Sequence, residues 1–170
     1  MDSILKALTN RVKDKVTDLE KRVAGYTVMP SPDKVRTRFP VKPYAAVFNT
    51  GFKRLKRDPE EAWVAAKRQL IEYYFDIALV LDPGQELQDK DGHQAESLPQ
   101  DIVNAIQNFR HECWLFSFVE CTNVGNTTSE AIYAISVCAI AWIDFDISQP
   151  DQAGPDGNPV VQFKVRGTLE

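Results

Sequence analysis

The sequence predicts an α+β fold, with a mostly antiparallel sheet and two main helices packed on one face. Two segments repeat apolar residues every three or four positions, which is typical of amphipathic helices. Other segments alternate apolar and polar residues or are apolar throughout, as strands are. The segments follow the order helix, strand, long strand, helix, strand, long strand. Helices spaced in this way among antiparallel strands are expected to lie together on one side of the sheet.

Length and composition fit one globular domain with an extension. A chain of 170 residues, 44% of them hydrophobic and 26% charged, is long enough to bury a real core. We expect the domain over residues 1–147. Residues 148–170 are expected to form a flexible extension in which Val160–Arg166 could be a last strand. The net charge of −4 gives no reason to expect nucleic acid as the main partner.

Features that mark the cell compartment predict a protein of the reducing cytoplasm. No apolar run reaches the roughly 18 residues of a membrane span, and the start of the chain does not look like a signal peptide. Cys113, Cys121 and Cys138 are an odd number of cysteines in apolar segments. We therefore expect buried free thiols rather than a disulfide.

The first element is a basic amphipathic helix. Asp2 or Ser3 is expected to cap it, and Gly25 to end it. Its apolar stripe consists of Ile4, Leu8, Val12, Val16, Leu19 and Val23. Four prolines between Met29 and Pro43 then predict an extended linker without regular structure.

A short strand and a long strand follow the linker. Tyr44–Asn49 is predicted as the short strand, ended by Thr50-Gly51. Leu70–Leu81 alternates along its whole length, so one face is expected to be buried and the other partly wet. The buried set is Ile71, Tyr73, Phe75, Ile77, Leu79 and Leu81. Between these strands, Asp58–Leu70 has two interpretations: a short helix, or a polar extension of the long strand.

The second half of the chain continues with a helix and two strands. Ser97 and Gln100 form a capping box at the start of the second amphipathic helix. Its apolar residues are Ile102, Val103, Ile106, Phe109 and Cys113. Leu115–Thr122 is predicted as a strand, Asn123–Ser129 as a turn region and Glu130–Ile147 as the second long strand.

The last long strand carries large apolar side chains on both faces. A monomer rarely covers both faces of such a strand, so we expect helices on one side and another subunit on the other. Tyr133, Ile143 and Phe145 are the residues that we predict at the subunit interface.

Groups that could perform chemistry are few. His111 and Cys113 are too close in sequence to face each other as base and nucleophile, and no second pair has the spacing of a zinc site. Asp144 and Asp146 point to one side of a strand end. Two acids there could bind a divalent ion, but we expect that they keep the edge of the sheet soluble. We therefore predict no catalytic, metal-binding or cofactor-binding residues, and no enzyme.

One charged cluster stands out, formed by Lys53, Arg54, Lys56 and Arg57 within Phe52–Pro59. Burying unpaired charge is costly, so the segment is expected to be an exposed loop. It is either a solvated loop or a surface that contacts an acidic partner, with DNA as the second choice of partner.

The order of the elements resembles the tail terminator proteins of long-tailed bacteriophages, especially those of contractile-tailed, Mu-like phages. The matching pieces lie between about Ser3 and Ile147: the opening helix, YAAVFNTGFKR, LIEYYFDIALVL, LPQDIVNAIQNFR and YAISVCAIAWIDFDI. The resemblance implies a structural subunit that forms a hexameric ring on the head-proximal end of the tail tube. Such a ring halts polymerisation of tube and sheath and meets the neck. The departures are the proline-rich linker, a longer polar loop at Gln85–Ser97 and the tail after Ile147.

The partners implied by the resemblance are other copies of the chain, tube and sheath proteins, and neck proteins. DNA would pass through the ring, no membrane would be contacted, and the protein would be assembled in the host cytoplasm and reside in the virion. One alternative is a neck, connector or head-completion protein. Another is a small α+β enzyme or ligand-binding domain that uses Asp144 and Asp146, or His111 and Cys113.

Overall fold

Three α-helices and six strands are present in the computed structural model, which describes residues 2–54, 68–82 and 97–144. The helices are α1 (Asp2–Lys15), α2 (Pro32–Arg38) and α3 (Ser97–Ile106). The strands are β1 (Val23–Tyr26), β2 (Tyr44–Arg54), β3 (Arg68–Leu81), β4 (Arg110–His111), β5 (Trp114–Asn126) and β6 (Ala131–Asp144).

The strands form one sheet in the order β1-β2-β3-β6-β5-β4. β1 runs parallel to β2, and the other neighbours are antiparallel. The two long strands β3 and β6 are central and pair along their full length, from Arg68 opposite Asp144 to Leu81 opposite Ala131. Side chains at paired positions share a face, so this register decides which residues meet.

The main core lies between one face of the sheet and the helices α1 and α3. Its residues with no exposed surface include Leu8, Val12, Phe75, Ile77, Leu79, Ile102, Ile106, Phe116, Ile135 and Val137. The predicted alternation of the first long strand is confirmed, because the residues expected inside belong to this core or pack against it. The predicted α+β fold, with both main helices on one face of a mostly antiparallel sheet, is also confirmed.

The first helix is shorter than predicted. It ends at Lys15 rather than near Gly25, and the chain then turns through Glu20 and Lys21, which have φ angles of 45° and 66°. Val23 is not part of the helix. It lies in β1, where it pairs with Ala45 of the parallel strand β2. Val23 is still buried, so its apolar character was needed for a strand rather than for a helix.

The linker between Met29 and Pro43 contains a helix, so the prediction of no regular structure is wrong. Ser31 caps α2, its hydroxyl oxygen accepting from the backbone N–H of Lys34 at 3.4 Å. Pro32 occupies the first turn, where a missing N–H costs nothing. The serine-proline pair is thus a helix start, and the other prolines lie outside the helix.

Strands β2 and β5 both continue past their predicted ends by means of β-bulges. β2 passes a bulge between Asn49 and Gly51 and reaches Arg54. Gly51 has a φ of 149°, a backbone conformation that side-chain-bearing residues avoid. β5 has two bulges and reaches Asn126, so the predicted turn region shrinks to a tight turn before β6.

The second helix is also shorter than its apolar stripe. α3 starts at Ser97 as expected but ends at Ile106, and Asn108 and Glu112 take positive φ angles of 60° and 53°. These turns let β4 fold back on β5, so Cys113 lies in a tight turn rather than on a helix. Phe109 nevertheless packs on the core, with its ring centroid 5.1 Å from that of Phe116.

The three cysteines are free thiols, but only Cys138 is buried. Cys113 is partly exposed, and Cys121 is exposed, so the expectation of burial is wrong for Cys121. Burial raises the pKa of all three thiols.

Several predictions fall on residues outside the described part of the chain. They concern Lys56, Arg57, Phe145, the strand proposed at Val160–Arg166, and the end of the domain at residue 147. Of the ambiguous Asp58–Leu70 stretch, residues 68–70 belong to β3, and the remainder lies outside the described residues.

Candidate assembly surface

The side of the sheet opposite α1 and α3 is named here the open face. Strand alternation places Glu72, Tyr74 and Asp76 of β3 on it, because the neighbouring odd-numbered residues enter the main core. The paired positions add Ser136, Cys138 and Ile140 from β6, and Leu115, Ser117 and Glu120 from β5.

One end of the open face is covered by α2. Val35 of α2 packs with Tyr44, Ala46 and Val80 in a second, smaller apolar cluster. This end of the sheet therefore has helices on both sides.

The other end, which none of the described helices covers, is named the free end, and it combines apolar and polar side chains. Leu115 lies opposite Ile140 on adjacent strands, and both are partly exposed. Leu70 and Tyr74 of β3 lie on the same side and are also partly exposed. Neighbouring apolar groups that stay partly exposed on a sheet face are typical of a surface that another protein covers.

A polar cluster crosses the free end from β2 to β3. Lys53 lies opposite Glu72, with its Nζ 3.2 Å from Glu72 Oε2 and 5.0 Å from the ring centroid of Tyr74. The Tyr74 hydroxyl donates to the same Glu72 carboxylate. Hydrogen bonding to Tyr74 and then to Glu72 raises the pKa of Lys53, and hydrogen bonding to Glu72 raises the pKa of Tyr74. The charge of Lys53 is thus balanced within its own subunit.

A second polar pair lies at the centre of the open face. Ser136 Oγ donates to Asp76 Oδ1 at 2.8 Å, and Glu120 is the residue opposite Ser136 on β5. The carboxylates of Asp76 and Glu120 thus place negative charge among the apolar side chains of the open face.

Two of the three predicted interface residues, Tyr133 and Ile143, lie on the opposite side of the sheet. Ile143 is 6% exposed and belongs to the main core, and Tyr133 packs against that core. Phe145 lies outside the described residues. Tyr133 and Ile143 therefore face the helices, and Ile140 is the β6 residue that lies on the open face.

The predicted basic cluster is divided between a strand and the undescribed segment. Lys53 and Arg54 are the last two residues of β2 rather than part of a loop, and Lys53 is exposed, as expected. Lys56 and Arg57 lie outside the described residues. The neighbouring Phe52 is 63% exposed, with its ring centroid 5.5 Å from that of Tyr73.

Sequence reasoning missed the role of Glu130. It lies in the turn before β6, is 8% exposed, and meets Arg36 and Lys42 from the α2 segment. The sequence does contain the partners, because an acid stands just before an apolar strand and two bases stand in the linker. Their pairing depends on a contact 94 residues apart in sequence, which no local pattern reveals.

The groups considered for metal or catalytic chemistry do not come together in the described residues. His111 Nε2 lies 3.8 Å from Glu112 Oε1 in the turn between β4 and β5. Within residues 2–54, 68–82 and 97–144, no group of three or more His, Cys, Asp or Glu side chains could hold a metal ion. Asp144 is the last residue of β6, and Asp146 lies outside the described residues.

Comparisons of the sequence with models of protein families and with curated proteins find no match. Among the described helices, none is both long and apolar enough to span a membrane.

Proposed function

We propose that this protein is a structural virion subunit that assembles into a ring, as the tail terminators that it resembles do. The observation that carries the proposal is the partly exposed apolar strip of Leu115, Ile140 and Leu70 at the free end of the open face. β6 is apolar on both sides, and α1 and α3 pack on only one of them. A second copy of the chain is the proposed cover for the other.

The free end has the chemistry of a subunit interface. Stable interfaces bury about 800 Å² on each partner, with an apolar centre and a polar rim. Leu115 and Ile140 would form that centre, and the polar pair of Asp76 and Ser136 would lie beside it. A contact between two different surfaces of the same chain closes into a ring when its rotation is suitable.

In this proposal the ring is hexameric and lies at the head-proximal end of a phage tail. It ends the growth of tube and sheath, joins the tail to the neck and lets DNA pass through its centre. The basic residues Lys53, Arg54, Lys56 and Arg57 would face a neighbouring tail component.

Solution mass tests the interface. The wild-type protein should form an assembly several times heavier than its 19.2 kDa chain. Ile140→Asp should be monomeric, because a carboxylate at the centre of an apolar interface loses its water without gaining a partner. Its circular dichroism should remain that of the wild type, since Ile140 is partly exposed in the single chain.

A matched control is Val124→Asp. Val124 lies on β5 and is 58% exposed at a bulge, where a charge should remain solvated. Val124→Asp should therefore assemble as the wild type does. A monomeric wild type at high concentration, or normal assembly of Ile140→Asp, would contradict the proposal.

A further inference from the structure

Helix α2 is tied to the sheet by one buried carboxylate and by a small apolar cluster. Glu130 is a charged residue with only 8% of its surface exposed. Arg36 Nη2 donates to Glu130 Oε2 at 2.8 Å, and Lys42 Nζ lies 3.5 Å from Glu130 Oε1. Arg36 is in the last turn of α2 and Lys42 follows the helix, so one acid binds both the helix and its exit segment.

The carboxylate is held by a tight turn. The backbone N–H of Glu130 donates to Thr127 Oγ1 at 2.9 Å, and the backbone N–H of Thr127 donates to the carbonyl oxygen of Glu130 at 2.7 Å. Lys42 also donates to the carbonyl oxygen of Ser129 and lies 3.3 Å from Asp82 Oδ1. Glu130 therefore belongs to the sheet, through the turn that enters β6. Arg36 and Lys42 belong to the α2 segment that Glu130 holds.

The apolar contact beneath α2 is smaller than the main core under α1 and α3, and it is separate from that core. Its buried members are Val35, Tyr44, Ala46 and Val80, and the partly buried residues Tyr26, Phe39, Ala78 and Ile132 pack against them. A helix of 7 residues is not stable in water without such contacts. The connectors on either side are accessible, since Val28, Met29 and Val41 are 70%, 73% and 59% exposed.

We infer that α2 is a latch, held closed by Glu130, that opens as a unit while the main core stays folded. Opening would uncover Tyr44, Ala46 and Val80, and it would add a second apolar patch to the open face. Regions with few buried contacts commonly open in this local manner. The latch is a property of the single chain and holds whether or not the chain forms a ring.

Acid should open the latch. Hydrogen bonding to Arg36 lowers the pKa of Glu130, so closure is complete above the ordinary glutamate value of about 4.3 and is lost as the pH falls through the lowered pKa. The groups that face Glu130 are Arg36, Lys42 and Tyr44, and burial raises the pKa of Tyr44. Asp33 and Asp82 are further partners of the two cations, so the decisive experiment changes Glu130 alone at neutral pH.

The experiment is amide hydrogen exchange of Glu130→Gln at pH 7, followed by mass spectrometry. Peptides over residues 33–41 contain the hydrogen-bonded amide of Phe39, 2.9 Å from the carbonyl oxygen of Val35. These peptides should exchange at least about tenfold faster than in the wild type, because Arg36 and Lys42 lose their shared charge. Peptides from α1 and β6 should exchange as in the wild type.

Two further variants make the result specific. Asp82→Asn removes a partner of Lys42 but leaves Glu130 in place, and it should exchange as the wild type does. Arg36→Gln removes the cation of α2 that binds Glu130, and it should speed exchange over residues 33–41 as Glu130→Gln does. It therefore tests the same ion pair independently if Glu130→Gln folds poorly. Unchanged exchange over residues 33–41 in both Glu130→Gln and Arg36→Gln, or an equal increase in α1 and β6, would overturn the inference.

Discussion

Gly25 is the residue at which α1 approaches the sheet most closely among the described glycines. A Cβ atom at this position would lie 2.7 Å from Thr9 Oγ1 and 3.4 Å from Leu5 Cγ. Thr9 Oγ1 cannot turn away freely, because it donates to the carbonyl oxygen of Leu5 at 2.7 Å. The small residue that was expected to end a helix thus serves to let a helix cross a strand.

Gly25→Ala should therefore lower the free energy of unfolding by about 1–3 kcal/mol through overpacking. Urea denaturation followed by circular dichroism measures the change. Gly125→Ala is the matched control, because a Cβ atom there would meet nothing within 4 Å. Adding Thr9→Ala to Gly25→Ala should restore part of the loss. Equal stability of the Gly25 and Gly125 variants would show that α1 does not cross β1 at this distance.

Arg11 joins the two main helices. Its Nε donates to the carbonyl oxygen of Ala105 at 2.8 Å, near the end of α3, and its guanidinium lies 5.0 Å from the ring centroid of Phe109. The bond satisfies a carbonyl in the last turn of α3, and the ring contact adds a cation–π interaction.

Arg11→Met keeps much of the apolar stem but removes the donor and the charge. We expect a loss of about 1–2 kcal/mol in the free energy of unfolding. Lys6→Met, at an exposed position of the same helix, should change stability by less than about 0.5 kcal/mol. The same urea titration compares the two, and a similar effect of both would remove the role assigned to Arg11.

The position of Lys53 at the end of β2 changes how the basic cluster should be tested. Lys53 is paired with Glu72 inside its own subunit, so reversing its charge would place two acids side by side. A variant that keeps Lys53 and changes Arg54, Lys56 and Arg57 to Glu avoids this conflict. The isolated protein should remain folded, because these charges are expected to be solvated.

In phage assembly, the same triple variant should stop tail joining or termination. Electron microscopy of particles from a complemented phage measures tail length and attachment. A triple change to Gln is the control, and it should cause a weaker defect because it removes attraction without adding repulsion. Joined tails of normal length with the Glu variant would make the segment a solvated surface only.

The elements that could be predicted are those whose signals are local and repeated. The alternation from Leu70 to Leu81 decided the face of β3 correctly, because burial on one side imposes a period of two. The ends of α1, β2 and α3 could not be predicted, since turns with positive φ at Glu20 and Asn108 and the bulge before Gly51 depend on tertiary pairing. α2 was hidden because four prolines suggested a linker, although Ser31-Pro32 is a helix start.

At the scale of the whole molecule, the sheet has two faces of different character. The sequence pattern predicted that the last long strand would be apolar on both faces. From that pattern we assigned Tyr133 and Ile143 to the subunit interface, although both sets are rich in apolar residues and the pattern alone does not distinguish them. Tyr133 and Ile143 turn toward α1 and α3, and this leaves Ile140 with Leu115 on the open face. The strand partner Leu115 was beyond prediction, since the register of β5 includes two bulges.

In the proposed ring, a second copy of the chain covers the open face. Cryo-electron microscopy of the assembled wild-type protein, alone and in virions, tests it most directly. We expect a closed ring at the junction of tail and neck, with Leu115 and Ile140 buried between neighbouring subunits. An assembly in which both side chains face solvent, or a protein that stays monomeric and is absent from virions, would contradict it.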